Sequence, residues 1–538
     1  MKKITNEINR RVAFLCLVFV AMLLFACSGG KEQQQDMSAK SAQEEYFEAP
    51  SAVADEMAPP PPDGDTKEKE MNTEAYDKIT ENQFLGVIEN PVSTFSIDVD
   101  KASYSNMRRF LNQNQMPPLD AVRIEELINY FDYSYPQPTD EHPFSINLEM
   151  AKCPWNEAHT LISIGLKGKE TEVKQIPPAN LVFLLDVSGS MDSPEKLPLL
   201  KQALKVLLEQ LRPTDRVAIV VYAGAAGLVL PSTPCDDKEK IIDAFDDLQA
   251  GGSTAGGEGI ELAYKVAKEN FIQGGNNRVI IATDGDFNVG ASSDAEMERL
   301  IEVKRQGGIF LSVLGFGMGN YKDSKMEKLS AAGNGNYAYI DNLLEAKKVL
   351  GYEMWRTLYA IAKDVKIQIE FNPSQVKAYR LIGYENRMLR REDFNDDKKD
   401  AGDIGAGHTV TALYEIIPAN SKEEVPGVDP LEYQKSNVVK SDNLMTVKLR
   451  YKQPDADVSK LIERRVKQND IFTGTPSENF IFSSAVAEFG LLLRGSQFKA
   501  NANYKHVFAM AKQAKGEDKF GIRSEFLQLI EKAELMAK

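Results

Sequence analysis

Asn180 to Asp192 reads N-L-V-F-L-L-D-V-S-G-S-M-D, and the fold is decided there. Leu181 to Leu185 are consecutively apolar and end abruptly on Asp186, with hydroxyls following at Ser188 and Ser190 around Gly189. A short apolar run bounded by polar turn residues reads as a strand buried on both faces, as in a parallel sheet. Its carboxylate and hydroxyls then sit at the strand's C-terminal edge, where open α/β sheets place their ligand sites.

Aspartate and serine oxygens suit a small hard cation such as Mg²⁺ or Mn²⁺. The chain has only four histidines, none between His159 and His408, so a nitrogen-rich zinc site is poorly supplied. Two further stretches carry oxygen donors. Gly251 to Gly257 (G-G-S-T-A-G-G) is a glycine-rich loop bearing Thr254, and Arg278 to Gly285 (R-V-I-I-A-T-D-G) is a second apolar strand ending on Asp284.

D-x-S-x-S, a loop threonine and T-D-G together resemble the metal-ion-dependent adhesion site of von Willebrand factor type A domains. That resemblance implies a Rossmann-like, doubly wound, mostly parallel sheet. It implies Ser188, Ser190 and Thr254 as direct or near-direct ligands, with Asp186 and Asp284 acting partly through water. Such a set under-neutralises a divalent ion that wants about six oxygens, leaving a position for a partner's carboxylate. Other readings fit less of the pattern. Asp186 and Ser188 could merely cap the helix starting near Pro194, but that leaves Thr254 and Asp284 unused. A haloacid-dehalogenase phosphatase wants a second aspartate where Ser188 stands. A Ser-His-Asp hydrolase lacks a histidine near in sequence and a G-x-S-x-G elbow.

Around these strands, the sequence alternates strand and amphipathic helix from about residue 173 to 350. Strands are expected at 215–222, 228–230, 308–315 and 337–340, and helices at 198–211, 238–248, 259–271, 295–306 and 324–332. That alternation gives an α/β domain with helices on both sheet faces. The 538-residue length allows two to four domains, and 43% apolar residues can bury substantial cores. A formal net charge of −15 argues against nucleic acid and against a basic membrane-surface patch.

The N-terminus is a targeting segment. Lys2, Lys3, Arg10 and Arg11 precede apolar Val12 to Ala26, too short for a spanning helix and typical of a secretory signal. It ends L-F-A-C-S-G, which resembles a bacterial lipoprotein box; the alternative is a retained anchor with an incidental cysteine. The resemblance implies a signal peptide over 1–26, lipidation at Cys27 and a cell-envelope location, with Ser28 pointing to the outer membrane. Residues 27–75 are poor in apolar side chains and include Pro59 to Pro62, so they read as a tether with a reach of about 35 Å. Once the signal is removed and Cys27 carries lipid, Cys153 and Cys235 offer the one possible disulfide; two buried free thiols are the open alternative.

The flanks of the α/β domain are of another kind. F-S-I-D-V-D (95–100) alternates like a strand, which places Asp98 and Asp100 on one solvated face. Residues 120–131 have helical spacing, and 144–148 and 160–166 read as strands around Cys153-Pro154-Trp155-Asn156. After residue 351, β-rich segments at 365–371, 376–382, 409–416 and 444–451 suggest an antiparallel sheet or sandwich. Residues 392–407 read as a mobile hairpin, and 479–538 turn helical, with Ala485, Phe489, Leu492 and Leu493 on one face. The blocks F-S-I-D-V-D-K-A-S-Y and R-I-E-E-L-I-N-Y-F-D-Y, with the helical tail, resemble YfbK-like von Willebrand domain proteins of bacteria. That divides the chain into an N-terminal YfbK-like region (76–172), the type A domain (173–350) and a C-terminal β-rich then helical region (351–538). Strands on both sides of the α/β domain suggest that it is inserted into one composite β domain.

The expected function is capture of an acidic side chain on another envelope protein through the metal, with the membrane contacted through the lipid. The alternative is an assembly scaffold in which the metal site is vestigial or stabilising. An enzyme ranks third, because no general base stands beside a nucleophile in the sequence.

Overall fold

In the computed structural model, the described residues are 74–252, 256–285, 294–319, 321–425, 427, 438–472 and 474–538. The expectations for the signal peptide, Cys27, Thr254 and the tether up to residue 73 therefore lie outside them; the last two tether residues are instead held to the folded part, Glu74 by Arg109 at 2.8 Å and Ala75 by a bridge to Lys322.

Sixteen strands are defined among these residues. The first four are β1 (Leu85–Gly86), β2 (Val92–Ser96), β3 (Phe144–Cys153) and β4 (Asn156–Gly168). Next come β5 (Ala179–Asp186), β6 (Arg216–Ala223), β7 (Ala225–Pro234), β8 (Asn276–Thr283), β9 (Ile309–Phe316) and β10 (Tyr337–Ile340). The last six are β11 (Ala360–Phe371), β12 (Val376–Ile382), β13 (Gly402–Gly405), β14 (Thr409–Pro418), β15 (Asn443–Lys452) and β16 (Lys460–Lys467).

The middle six form one sheet in the order β10-β9-β8-β5-β6-β7, parallel except for the β7 edge. Every residue of β5 is buried. Leu181, Phe183 and Leu185 join the core under helices Leu197–Gln210 and Lys238–Asp246, while Val182 and Leu184 join the opposite core under Gly256–Glu269 and Asp294–Gln306. The period of two thus supplies both faces from one uninterrupted apolar run.

The remaining strands make two antiparallel sheets, β1-β12-β14-β4-β3 and β13-β11-β15-β16, with β2 also paired to β11. Phe144, Ile162 and Leu166 from the first share a core with Ile367, Val447 and Leu449 from the second, which makes a sandwich. Thr409 to Ile416 of β14 pair with Thr160 to Lys167 of β4, so chain on either side of the α/β domain builds one sheet, as the insertion hypothesis requires. Helices Glu478–Leu493, Tyr504–Gln513 and Ile522–Met536 pack with Ala102–Asn112 and Ile124–Asn129 around Tyr104, Phe131 and Phe482.

Three expectations are corrected. The strand at 92–96 stops before Asp98, and Asp100 is buried: it accepts the Tyr337 N–H at 2.9 Å and pairs with Arg387 at 3.2 Å. Alternation fails as a guide once the strand has ended. Residues 392–407 are not a mobile hairpin. They contain β13 and a buried Phe394, and Lys366 donates to the Asp393 carbonyl while Lys452 donates to that of Asp397. Those lysine bonds and the strand pairing hold the segment down while Glu392, Asn395, Asp396 and Lys398 stay exposed. Finally, Cys153 and Cys235 are not disulfide-bonded; each is a buried free thiol, Cys153 in the core of the terminal helices and Cys235 in an α/β core.

Candidate metal centre

Three segments meet at the C-terminal edge of the parallel sheet. Strand β5 ends on Asp186, and its register with β8 sets Leu185 level with Ala282, so Thr283 and Asp284 arrive beside Asp186. The Ser188–Ser190 turn then bends over that edge. Gly189 N–H donates to the Gly252 carbonyl at 3.1 Å and Gly251 N–H to the Val187 carbonyl at 2.8 Å, which docks the start of the Thr254 loop on the serine turn. Gly285 sits at φ +104°, where a Cβ would come within 2.7 Å of the Lys322 nitrogen; a side chain here would push the Asp284 turn off its neighbour.

Asp186 is fully buried. Its Oδ1 accepts the Ser188 N–H at 2.9 Å, and its Oδ2 accepts the Tyr222 hydroxyl at 3.1 Å and the Thr283 hydroxyl at 3.3 Å. All three donors are neutral. Burial pushes its carboxyl above the usual range and the Asp284 charge adds to this, against the hydrogen bonds from Ser188. Asp284 is equally buried and takes a 2.9 Å ion pair from Lys196. The Ser188 and Ser190 hydroxyl oxygens lie 3.0 Å apart, and Ser190 is exposed at the mouth.

Of the predicted ligands, Asp186, Ser188, Ser190 and Asp284 therefore converge; Thr254 and neighbouring Asp286 fall outside the described residues. Tyr222, Lys196 and the hydroxyl role of Thr283 were not anticipated. Thr283 lay inside the quoted T-D-G and Tyr222 at the end of its strand, whereas nothing in the sequence marks Lys196.

This donor set fits a hard divalent cation. Two carboxylates lie buried here, with Lys196 in ion-pair contact with one of them, and the Ser188–Ser190 hydroxyl pair supplies neutral oxygens beside them. Among the described residues no group of three or more His, Cys, Asp and Glu could hold a metal.

Fold and edge geometry define a von Willebrand factor type A domain protein, and residues 180–350 match that domain family. Residues 70–163 match a family described as von Willebrand factor, and 356–536 match the C-terminal family of the uncharacterized protein YfbK. YfbK of Escherichia coli K12 is 45% identical over 473 residues, covering 86% of this chain and 81% of its own length, and the chain belongs to the YfbK family. The uncharacterized protein sll0103 of Synechocystis is 28% identical over 36% of this chain and 45% of its own length. A solved von Willebrand factor type A structure from Catenulispora acidiphila aligns over 73% of this chain and 91% of its own, with TM-score 0.40 and 18% identity.

Proposed function

We propose that the chain is a lipid-anchored cell-envelope protein that binds an acidic side chain of a partner protein at the Asp186 edge, through a divalent cation, Mg²⁺ or Mn²⁺. Asp186, Ser188, Ser190, Thr254 and Asp284 would hold the ion, which supplies a charged position open to an incoming carboxylate. The observation that carries this reading is the Ser188–Ser190 hydroxyl pair set beside a buried carboxylate whose described donors are all neutral. Membership of a type A domain family, a class consistent with protein interaction, supports it. The lipid attachment at Cys27 and the outer-membrane location rest on the sequence alone. No catalytic role is assigned.

One observation favours the scaffold alternative: Lys196 already supplies a cation to Asp284. The two readings separate in one experiment. Mg²⁺ should raise the Tm of the wild-type chain and support cross-linked capture of an envelope protein, and chelator or Asp186→Ala should abolish both. Ser188→Ala should do the same while leaving the circular dichroism spectrum unchanged. Capture that is equal in chelator and magnesium would remove the metal from the mechanism and leave the scaffold.

A further inference from the structure

At the other end of β8, six residues before Asp284, Arg278 is buried with its charge poorly matched. Six arginines are buried among the described residues. Arg108, Arg109, Arg123, Arg380 and Arg494 each meet a carboxylate at 2.5 to 2.8 Å. Arg278 meets none. Its Nη1 donates to the Ser312 hydroxyl at 2.6 Å and its Nε has no partner, with the Phe310 ring centroid 5.5 Å away. A guanidinium carries five donors in a fork shaped for a carboxylate, and burying one unmatched is costly.

Arg278 lines a cavity of about 550 Å³ between the start of β8 and the sandwich, a size suited to a small molecule. Asn276, two residues earlier and so on the same strand face, also lines it. The Asn276 Nδ2 donates to the Leu358 carbonyl, which fixes the amide's orientation and leaves its Oδ1 buried without a donor. On the sandwich wall, Asp403 accepts the Asp364 N–H at 3.2 Å and makes no ion pair, though its charge is felt by Arg278. Burial pushes that carboxyl up to about 7. Arg278 and Asp403 thus bring to the walls of one cavity a guanidinium and a carboxylate, neither of them ion-paired among the described residues. Asp98 and Asp400 also line it, paired to Arg387 at 3.1 Å and to Arg305 at 2.8 Å, as do Arg356, Lys363 and Lys399.

We propose that this cavity binds a small monocarboxylic acid carrying a hydrogen-bond donor beside its carboxylate, the chemistry of α-amino and α-hydroxy acids. Arg278 receives the carboxylate, and Asp403 accepts from the neighbouring ammonium or hydroxyl. The site is separate from the Asp186 edge and does not depend on what binds there.

The test is thermal unfolding of the full chain with L-alanine, lactate, acetate or phosphate at matched ionic strength. L-alanine or lactate should give a saturable rise in Tm exceeding that of acetate. Arg278→Gln should weaken the apparent affinity by about tenfold or more, the loss expected for hydrogen bonds to a charged group. Asp403→Asn, on the opposite wall, should erase the preference over acetate, and it reports even if Arg278→Gln folds poorly. Absence of any saturable shift in wild type would make the cavity merely hydrated and overturn the proposal, as would equal shifts in wild type and both variants. Phosphate acting as strongly as lactate would overturn the assigned ligand class.

Discussion

Buried charge appears twice in this molecule with opposite outcomes. At Arg108, one guanidinium meets Asp341 at 2.5 Å, Glu345 at 2.7 Å and Glu525 at 3.1 Å, and donates to the Tyr130 hydroxyl at 2.9 Å. That hub ties helix Ala102–Asn112 to the α/β domain and to the last helix. At the sheet edge, the described donors to Asp186 are all neutral, with Ser188 buried beside it and Ser190 exposed at the mouth. Burial of charge alone therefore does not mark a ligand site. What distinguishes the two is whether the protein supplies the countercharge itself.

The strongest way to sharpen that contrast is Arg108→Ala. It strands the buried carboxylates of Asp341 and Glu345, removes the pair to half-buried Glu525, and should cost about 3–5 kcal/mol, read by chemical denaturation. A loss below about 1 kcal/mol, the scale of a surface pair, would erase the distinction. Lys196→Met removes the ammonium contacting Asp284 and should cost about 1–3 kcal/mol without divalent ion, with Mg²⁺ restoring more stability than it adds to wild type. Equal magnesium responses in the two proteins would mean that the lysine and the ion do not share the site.

A smaller effect is expected where a third buried network titrates. His159 lies 2.5 Å from Glu415 and 2.8 Å from Glu423, and Arg380 also pairs with Glu415. Burial opposes the charged imidazole, but the hydrogen bonds to Glu415 and Glu423 outweigh it and raise the His159 pKa. Burial likewise opposes the Glu415 charge, but His159 and Arg380 hold its pKa down. The His159 contribution is thus complete below about pH 6.5 and fades as pH rises through its raised pKa. The Glu415 contribution is present above about pH 4.3 and fades as pH falls. Tm against pH should show a maximum between these limits, and His159→Gln should flatten the alkaline side. The smallest effect concerns Cys153 and Cys235, whose thiols burial pushes up, Cys235 to about 12. Neither should be alkylated in the native state, as peptide mass spectrometry would report, and reductant should leave Tm unchanged.

The parallel sheet and its edge were legible because each β strand there advertises itself: an apolar run such as Leu181 to Leu185 has no competing reading at that length. Asp186, Ser188, Ser190 and Asp284 could be grouped in advance because D-x-S-x-S and T-D-G, each at a strand end, together resemble a known adhesion-site motif. The pairing of β14 with β4 was legible only as β-rich blocks on both sides of an α/β domain. Helix Ala102–Asn112 was missed because Ser103, Ser105, Asn106, Arg108 and Arg109 are buried in it, which hides any apolar stripe. Arg278 was quoted merely as the start of a strand, since whether an arginine finds a carboxylate depends on contacts far away in sequence. Lys196 was invisible for the same reason.

The join between β4 and β14 also sets a schedule for the chain's own maturation. More than two hundred residues, including a whole nested domain, separate the partners in that ladder, so closing it is a non-local event that tends to be slow. During synthesis, the early strands Phe144–Cys153 and Asn156–Gly168 would form a hairpin whose inner edge stays unsatisfied until residues 409–418 have been made. The nascent protein therefore carries a sticky open edge until its late strands are made, and the nested domain is free to finish folding before its host does.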